Sequence, residues 1–402
     1  MKVLLILEAA LGGSGRHILD LAEGLMARGE KVHLVYSPLR ADYGFATGLA
    51  SLRRARLEFR CHPIPITREL GISDFRSYLQ LTGYVRRHGP FDVIHGHSTK
   101  AGFLARLLLR RRGARLIYTP HGLMTLDPAL TGLPRRAVCA LESTLARVCD
   151  AVVAVSANER RCAVKTGIEA DKLVVIPNGL AQAHDTPQTQ RRQDIRNSLG
   201  VSPDTVCIGW IGRLVAYKEP DRVLESFAIL RQHTTHPVRL VMIGWGPLEA
   251  VVRRRATELR ISNDVLLLGQ VDGAAHALAF DILAHASRFE AFGYVFLEAL
   301  SAGVPIVTTC VGGTDELVSD GITGYICNPW DAKAFATYLQ RLAENPHLRA
   351  TMALAARERA AHFGVAKMVD SIQELYRRVC DVPNSARRVD RGAAQDVVKQ
   401  PT

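Results

Sequence analysis

Short aliphatic runs alternate with stretches of helical periodicity along most of this chain. Residues 3–7 (VLLIL) form a continuous apolar run, Ile18, Leu21, Ala22 and Leu25 then fall on one helical face, and 32–36 is aliphatic again. Further strand candidates are residues 93–94, 116–118, 151–155 and 173–176, with helix-like stretches between several of them. Strands apolar on both faces and separated by helices predict a parallel sheet covered on both sides, a doubly wound α/β domain.

After Pro177-Asn178-Gly179 the pattern fades through residues 182–192, a polar segment containing Pro187 that reads as a linker. Alternation resumes with strands expected at 206–211, 240–243, 265–268, 282–283 and 305–307, helices at 221–232 and 248–259, and two or three helices at the end. Residues 1–182 and 190–365 thus read as two similar domains facing a cleft, without a sequence repeat between them. The segment 381–402 has little apolar periodicity and is expected to be disordered.

Composition adds two constraints. Of 402 residues, 48% are hydrophobic and 22% charged, which fits a globular chain of two domains. The net charge is +12, and residues 1–182 carry 26 Lys and Arg against 15 Asp and Glu, so almost all of the excess lies in the first half. A basic half beside a neutral one points to an anionic partner of the first domain, a phospholipid surface or a pyrophosphate-bearing acceptor, with an Arg-rich solvated surface as the plain alternative. Candidate contacts are Arg110, Arg111, Arg112, Arg115, Arg135 and Arg136, expected to close helices or loops. Nucleic acid is disfavoured, because aromatic residues make up only 6% and are not interleaved with the basic ones. The eight cysteines show no Cys-x-x-Cys spacing and read as thiols in a reducing compartment. No signal peptide or membrane span is read, so the expectation is a cytoplasmic protein, peripheral at most on the inner membrane face.

Several motifs carry chemistry. Gly12-Gly13-Ser14-Gly15 lies between the first strand and its helix, where backbone amides can meet an anion; a plain tight turn explains the glycines equally well. The second strand ends Tyr36-Ser37-Pro38 without the acid that a dinucleotide site needs for ribose, which argues against NAD. Gly212-Arg213 follows a strand and Lys218 lies five residues on, a pair of cations suited to a diphosphate, with two ordinary surface cations as the plain alternative. In the segment from Ser287 to Glu298, Glu290 precedes a turn at Phe292-Gly293 and Glu298 lies in an apolar helix, where a carboxylate needs partners such as hydroxyls. His121 follows Thr119-Pro120 and, taken alone, reads either as a functional imidazole or as a loop residue packing its ring. His95 and His97 make a weak metal set without an acid or cysteine beside them, and Asp-x-Asp is absent, so no metal is expected.

With these motifs in order, the chain resembles glycosyltransferase family 4 of the GT-B superfamily over residues 1–380. The resemblance rests on Glu290 to Glu298, Gly212-Arg213 with Lys218, Val175-Ile176-Pro177-Asn178-Gly179, Gly312-Gly313-Thr314-Asp315-Glu316, Gly12-Gly13, His95-Gly96-His97 and Thr119-Pro120-His121-Gly122. It implies two Rossmann-like domains, the first for acceptor and the second for a nucleotide diphosphate sugar, with residues 366–380 returning to the first domain. It also implies retention of configuration, without a cofactor. By the same resemblance Arg213 and Lys218 grip the diphosphate and Glu298 holds the ribose. Glu290 and the backbone after Phe292 and Gly293 meet the sugar, His121 lies near the reacting carbon, and Gly12-Gly13 closes on donor and acceptor. Ala291 stands where glycine is common, and Ser14-Gly15-Arg16 where bulkier or acidic residues are, which leaves the donor sugar open. The expected acceptor is a lipid-linked saccharide in cell-surface polysaccharide assembly. Rival readings are a sugar-nucleotide epimerase, a phosphorylase of the same architecture and a non-catalytic nucleotide-sugar-binding subunit.

Overall fold

The computed structural model describes residues 1–56, 58–67, 71–108, 113–181, 188–309, 311–328 and 330–382. The first half runs β1 (Lys2–Leu7), α1 (Gly12–Ala27), β2 (Lys31–Tyr36), α2 (Tyr43–Ala55), β3 (Arg60–Pro63), α3 (Ser73–His88), β4 (Val93–His97), α4 (Thr99–Leu107), β5 (Arg115–Thr119), α5 (Gly132–Ala146), β6 (Ala151–Ala154), α6 (Ala157–Thr166) and β7 (Leu173–Val175). Its strands form one parallel sheet in the order β3-β2-β1-β4-β5-β6-β7.

The second half runs α7 (Gln188–Ser198), β8 (Val206–Ile211), α8 (Pro220–His233), β9 (Val238–Ile243), α9 (Glu249–Glu258), β10 (Val265–Gly269), α10 (Gly273–Ala277), β11 (Ile282–His285), α11 (Tyr294–Ala302), β12 (Ile306–Thr308), β13 (Gly324–Ile326), α12 (Ala332–Ala343), α13 (Pro346–Ala361) and α14 (Val365–Asp381). Its parallel sheet has the order β10-β9-β8-β11-β12-β13. This is the expected α/β architecture of two Rossmann-like sheets.

The unbroken apolar run of β1 has a direct explanation. Val3, Leu5 and Leu7 pack on the face that carries Ile18, Leu21 and Leu25 of α1, while Leu4 and Ile6 pack on the opposite face. Both sheets reverse strand order, at β1/β4 and at β8/β11, which opens a crevice at the carboxyl ends of those strands.

Helix α14 returns across the molecule. Its residues Val369, Ile372 and Tyr376 join the core beside α1. A side chain at Gly24 of α1 would put its Cβ 2.6 Å from Val369, so the glycine permits that approach. The two crossings between domains lie together, since Leu180 bridges Gly364 and a Cβ at Gly179 would sit 2.6 Å from Val365 Cα.

Some expectations are corrected. The polar stretch read as a linker becomes helix α7 from Gln188, with residues 182–187 outside the described residues. Ile195 and Leu199 cover apolar surface and Arg192 and Arg196 pair with Asp281 at 2.6 and 3.0 Å, so tertiary partners form the helix that periodicity did not show. Strands β3 and β13 were not anticipated. Helix α14 includes Asp381, and residues 383–402 of the expected disordered tail lie outside the described residues, as do Arg110, Arg111 and Arg112. Arg115 is no surface cation: it is 5% exposed within β5 and donates to the Cys380 carbonyl at 3.4 Å. Arg135 and Arg136 open α5 rather than close a helix, and Arg135 is tied to the Thr125 carbonyl at 2.9 Å. Among the described residues no helix is long and apolar enough to cross a membrane, and no cysteine is in a disulfide.

Candidate active site

The residues singled out by sequence gather at the carboxyl ends of the strands beside the two switch points. In the second domain Arg213 and Lys218 lie between β8 and α8, and Glu290 follows β11. Lys218 Nζ forms an ion pair with the Glu290 carboxylate. Ser287 Oγ donates to Glu290 Oε1 at 2.9 Å, and the Arg288 amide donates to the Tyr217 carbonyl at 2.7 Å, which ties the two loops together. Burial alone would raise the pKa of Glu290, but Lys218, His285 and these hydrogen bonds outweigh it and hold the carboxyl below its ordinary value. Arg213 has no carboxylate partner among the described residues; its guanidinium lies 5.6 Å from the Trp245 ring centre and its Nε is enclosed without a partner.

Gly293, at φ +87°, precedes α11, and no side chain caps that helix. Its first-turn amides and dipole make an amino terminus suited to an anion. The Phe292 side chain is not part of this surface, since it is 1% exposed and packs edge-on against Phe363 at 5.7 Å. Only its backbone faces the turn. Gly312 explains itself by contact: a Cβ there would lie 1.5 Å from the Glu290 carbonyl oxygen.

Glu298 lies on α11 with Arg16 of α1 opposite, 3.4 Å away across the cleft. Burial pushes the Glu298 carboxyl up to about 7, with Arg16 pulling it down and Asp272 and Asp20 adding to the rise. Gly12 adopts φ +52° and donates its amide to Asp42 at 2.7 Å. The expected loop of Gly12 to Gly15 is instead the first turn of α1, and a Cβ at Gly13 would meet the Tyr294 ring at 2.6 Å, so this glycine lets that turn rest on the start of α11.

His121 closes the site from the first domain. It has φ +54°, and a Cβ at the adjacent Gly122 would sit 3.6 Å from the Ala291 side chain, so its loop abuts the Glu290 segment. Its Nε2 is 3.0 Å from His97 Nδ1, and the His17 ring meets it edge-on at 4.6 Å. His17 Nδ1 lies 2.9 Å from Asn178 Oδ1, a residue of the crossing between domains. His95 is held elsewhere, by the Tyr376 hydroxyl at 2.7 Å and Thr119 Oγ1 at 2.8 Å. Burial lowers all these imidazoles, His17 to about 4 and His95, His97 and His121 well below their usual value, so they are neutral at pH 7. Among the described residues, one group of three has ring nitrogens close enough to hold a metal ion: His17, His97 and His121.

Four residues of the site were given no role from sequence, although Asn178 and Glu316 stand within two of the motifs quoted above. Glu159 Oε1 accepts from the Gly122 and Leu123 amides at 2.7 and 3.1 Å, and Oε2 accepts from Val155 at 2.8 Å, which fixes the His121 loop. The readable signal was Ser156-x-x-Glu159, a capping-box spacing whose serine accepts from the Glu159 amide at 3.0 Å. Glu316 accepts from the Ala157 and Asn158 amides at 2.9 Å each, capping α6 from the other domain. His17 and Asn178 gave no separate signal, because each matters only through its tertiary contact.

Comparison with known proteins agrees over both halves. The family described as Glycosyltransferase Family 4 matches residues 11–182, and that described as Glycosyl transferases group 1 matches residues 191–359. The chain is similar to D-inositol 3-phosphate glycosyltransferase of Stackebrandtia nassauensis, 30% identical over 305 residues that span 72% of this chain and 68% of the relative. It is 29% identical over 335 residues to the protein of that name from Corynebacterium urealyticum, covering 77% of this chain and 78% of the other. In structure it is similar to Anabaena HepE in complex with UDP-glucose, with a TM-score of 0.79, 22% identity, and 93% of this chain and 99% of that one covered. It is also similar to WaaG, a glycosyltransferase involved in lipopolysaccharide biosynthesis, with a TM-score of 0.73, 18% identity, and 94% and 99% covered.

Proposed function

The chain belongs to the glycosyltransferases of group 1 and family 4, and from that premise we propose that it is a retaining, metal-independent enzyme that moves a hexose-type sugar from a nucleotide diphosphate to an acceptor hydroxyl. The observation that carries this reading is the Glu290 segment, bound by Lys218 on one side and met by the His121 loop on the other. Residues 190–365 hold the donor. Arg213, Lys218 and the α11 amides meet the charge that develops on the leaving diphosphate, electrostatic stabilisation that needs no divalent cation. Glu298 takes the ribose hydroxyls, displacing Arg16. Glu290 and the backbone at Phe292-Gly293 hold the sugar, with His121 and the Gly12-Gly13 loop beside the reacting carbon. Glu290, paired with Lys218, serves the sugar hydroxyls rather than attacking, so the acceptor attacks from the face that the diphosphate leaves, and the departing phosphate takes its proton.

Residues 1–182, with α14, hold the acceptor, which we assign to a lipid-linked saccharide on the inner membrane surface. Helix α3 supports this: Ile72, Phe75 and Leu79 are 94%, 65% and 52% exposed on one side, and Arg86 and Arg87 end the helix. A second reading, a small phosphorylated polyol, is favoured by the D-inositol 3-phosphate named for the curated relatives.

The test is a panel of UDP-, GDP- and ADP-sugars with EDTA present, read by thermal shift and donor hydrolysis, with Glu298→Ala alongside. Stabilisation by one nucleotide class, lost in the variant, is expected; a strict metal requirement or no response overturns the donor assignment. Transfer assays on a polyprenyl-linked saccharide and on inositol phosphate then choose the acceptor, and the anomeric configuration of the product, read by NMR, tests retention.

A further inference from the structure

Three imidazoles converge where the transfer reaction calls on one. One ring nitrogen from each of His17, His97 and His121 lies within 4.8 Å of the other two. His17 and His97 are 1% and 0% exposed, and the Nε2 atom of each is enclosed without a hydrogen-bond partner. Buried polar atoms are nearly always satisfied, so two orphans on neighbouring rings of one cluster need an explanation. His17 Nδ1 faces the Asn178 Oδ1 acceptor at 2.9 Å, which puts the proton on Nδ1 and leaves Nε2 a bare lone pair. With His97 Nδ1–H donating across the 3.0 Å contact to His121 Nε2, His97 Nε2 is a bare lone pair, and His121 Nε2 becomes one when that contact opens. The His95 ring lies 3.9 Å from that of His97, tilted by 35°, yet has both nitrogens engaged, by Tyr376 and Thr119, and stays outside the set.

We propose that His17, His97 and His121 bind one late first-row divalent cation of the Zn2+ class, with a fourth coordination position toward the cleft, and that the bound ion inhibits sugar transfer by occupying His121. Three neutral imidazoles and one open position are a ligand set that zinc accepts. Zinc–nitrogen bonds of about 2.1 Å put two ligands of a tetrahedral ion roughly 3.4 Å apart, so small ring rotations from the present spacing suffice. Asn178 holds the outer nitrogen of His17, the kind of support that orients a ligating ring. Mg2+ and Ca2+ prefer oxygen ligands and are excluded, which keeps the site separate from any role in diphosphate departure. Inhibition rests on the placement of His121 in the reaction; binding does not.

The experiment titrates Co2+ into the metal-stripped full-length protein, following the visible bands of a low-coordinate nitrogen-ligated ion, then displaces it with Zn2+. One equivalent is expected, reduced at least tenfold in affinity by His17→Gln and by His97→Gln and unchanged by His233→Gln, an exposed histidine far from the cluster. Circular dichroism confirms that each variant is folded; should either cluster variant unfold, His121→Gln and extended X-ray absorption on the Zn2+ form count the imidazole ligands. Absence of a stoichiometric site, or equal binding in a folded cluster variant, overturns the proposal. Zn2+ should also abolish turnover with the nucleotide sugar that the panel selects, reversibly with EDTA. Stoichiometric cobalt bands without inhibition would keep the ion-binding site, refute inhibition and remove His121 from the reaction.

Discussion

Glu290 and Glu298 stand eight positions apart in sequence and are pushed in opposite directions. Glu290 is held low against its burial by Lys218, whereas burial carries Glu298 up to about 7 with only Arg16 opposing. An ionised carboxylate is the better acceptor for ribose hydroxyls, so binding of a nucleotide sugar should take up the charged form of Glu298. Affinity should then fall about tenfold per pH unit below about pH 7 and level off above it. Calorimetric titration of the nucleotide sugar between about pH 5 and pH 8 checks this, because that ligand has no terminal phosphate titrating in the range. Glu298→Gln should bind more weakly and independently of pH, and a flat wild-type profile would remove Glu298 from the ribose.

The buried histidines set a separate stability profile. His17 and His285 are lowered by burial to about 4, so between there and their ordinary 6.5 the unfolded chain binds more protons than the native one. Stability from these rings is complete above about pH 6.5 and lost as pH falls toward 4, at about 1.4 kcal/mol per pH unit for each ring. Glu159 and Glu298, both raised to about 7, act the other way: their contribution is present below about pH 4.5 and lost as pH rises through 7. Urea denaturation across this range should show a shallower acid limb in His285→Gln by about that one-proton slope. An unchanged slope would mean that His285 is charged in the native protein.

At the scale of elements, strands were legible where both faces are buried, because β1 then reads as an aliphatic run from Val3 to Leu7, and β8 (VCIGWI) and β9 (VRLVMI) read as largely apolar ones. Edge strand β3 (RCHP) is mostly exposed, β13 is three residues long, and α7 is nearly all polar, so none carries a period that could be read. The loops between elements explain their glycines only in three dimensions. Gly13 is needed for the approach to Tyr294, a contact with a residue 281 positions away. Gly13→Ala should leave the melting temperature within a few degrees of wild type, because the first turn of α1 and the Tyr294 ring can separate, yet lower kcat/KM about tenfold or more by holding the cleft apart. Helix α3 makes its own prediction. Phe75→Glu with Leu79→Glu should abolish sedimentation with vesicles rich in anionic phospholipid while leaving donor hydrolysis unchanged; undiminished sedimentation would move the membrane contact elsewhere.

At the scale of the molecule, the cleft is held by contacts that no local reading could supply. Arg16 meets Glu298, Ser156 Oγ donates to the Ala291 carbonyl at 2.7 Å, and Glu316 caps the first turn of α6, each across the two halves. The motif residues were legible because their types already suit a diphosphate and a sugar. Their partners were not, since nothing in the sequence pairs the Glu316 carboxylate with the Ala157 and Asn158 backbone amides until folding brings them together. Glu316 is the sharpest probe of that closure. Glu316→Ala leaves the Ala157 and Asn158 amides without an acceptor and removes a carboxylate from a helix amino terminus, a loss of about 1 kcal/mol. Because the cap spans the cleft, that loss falls on the closed arrangement more than on either sheet. The radius of gyration in X-ray scattering without donor should increase, and saturating nucleotide sugar should restore the wild-type value by binding the closed form. If the variant scatters like wild type while melting lower, the cap serves stability alone, and closure is held by the Arg16–Glu298 and Ser156–Ala291 contacts.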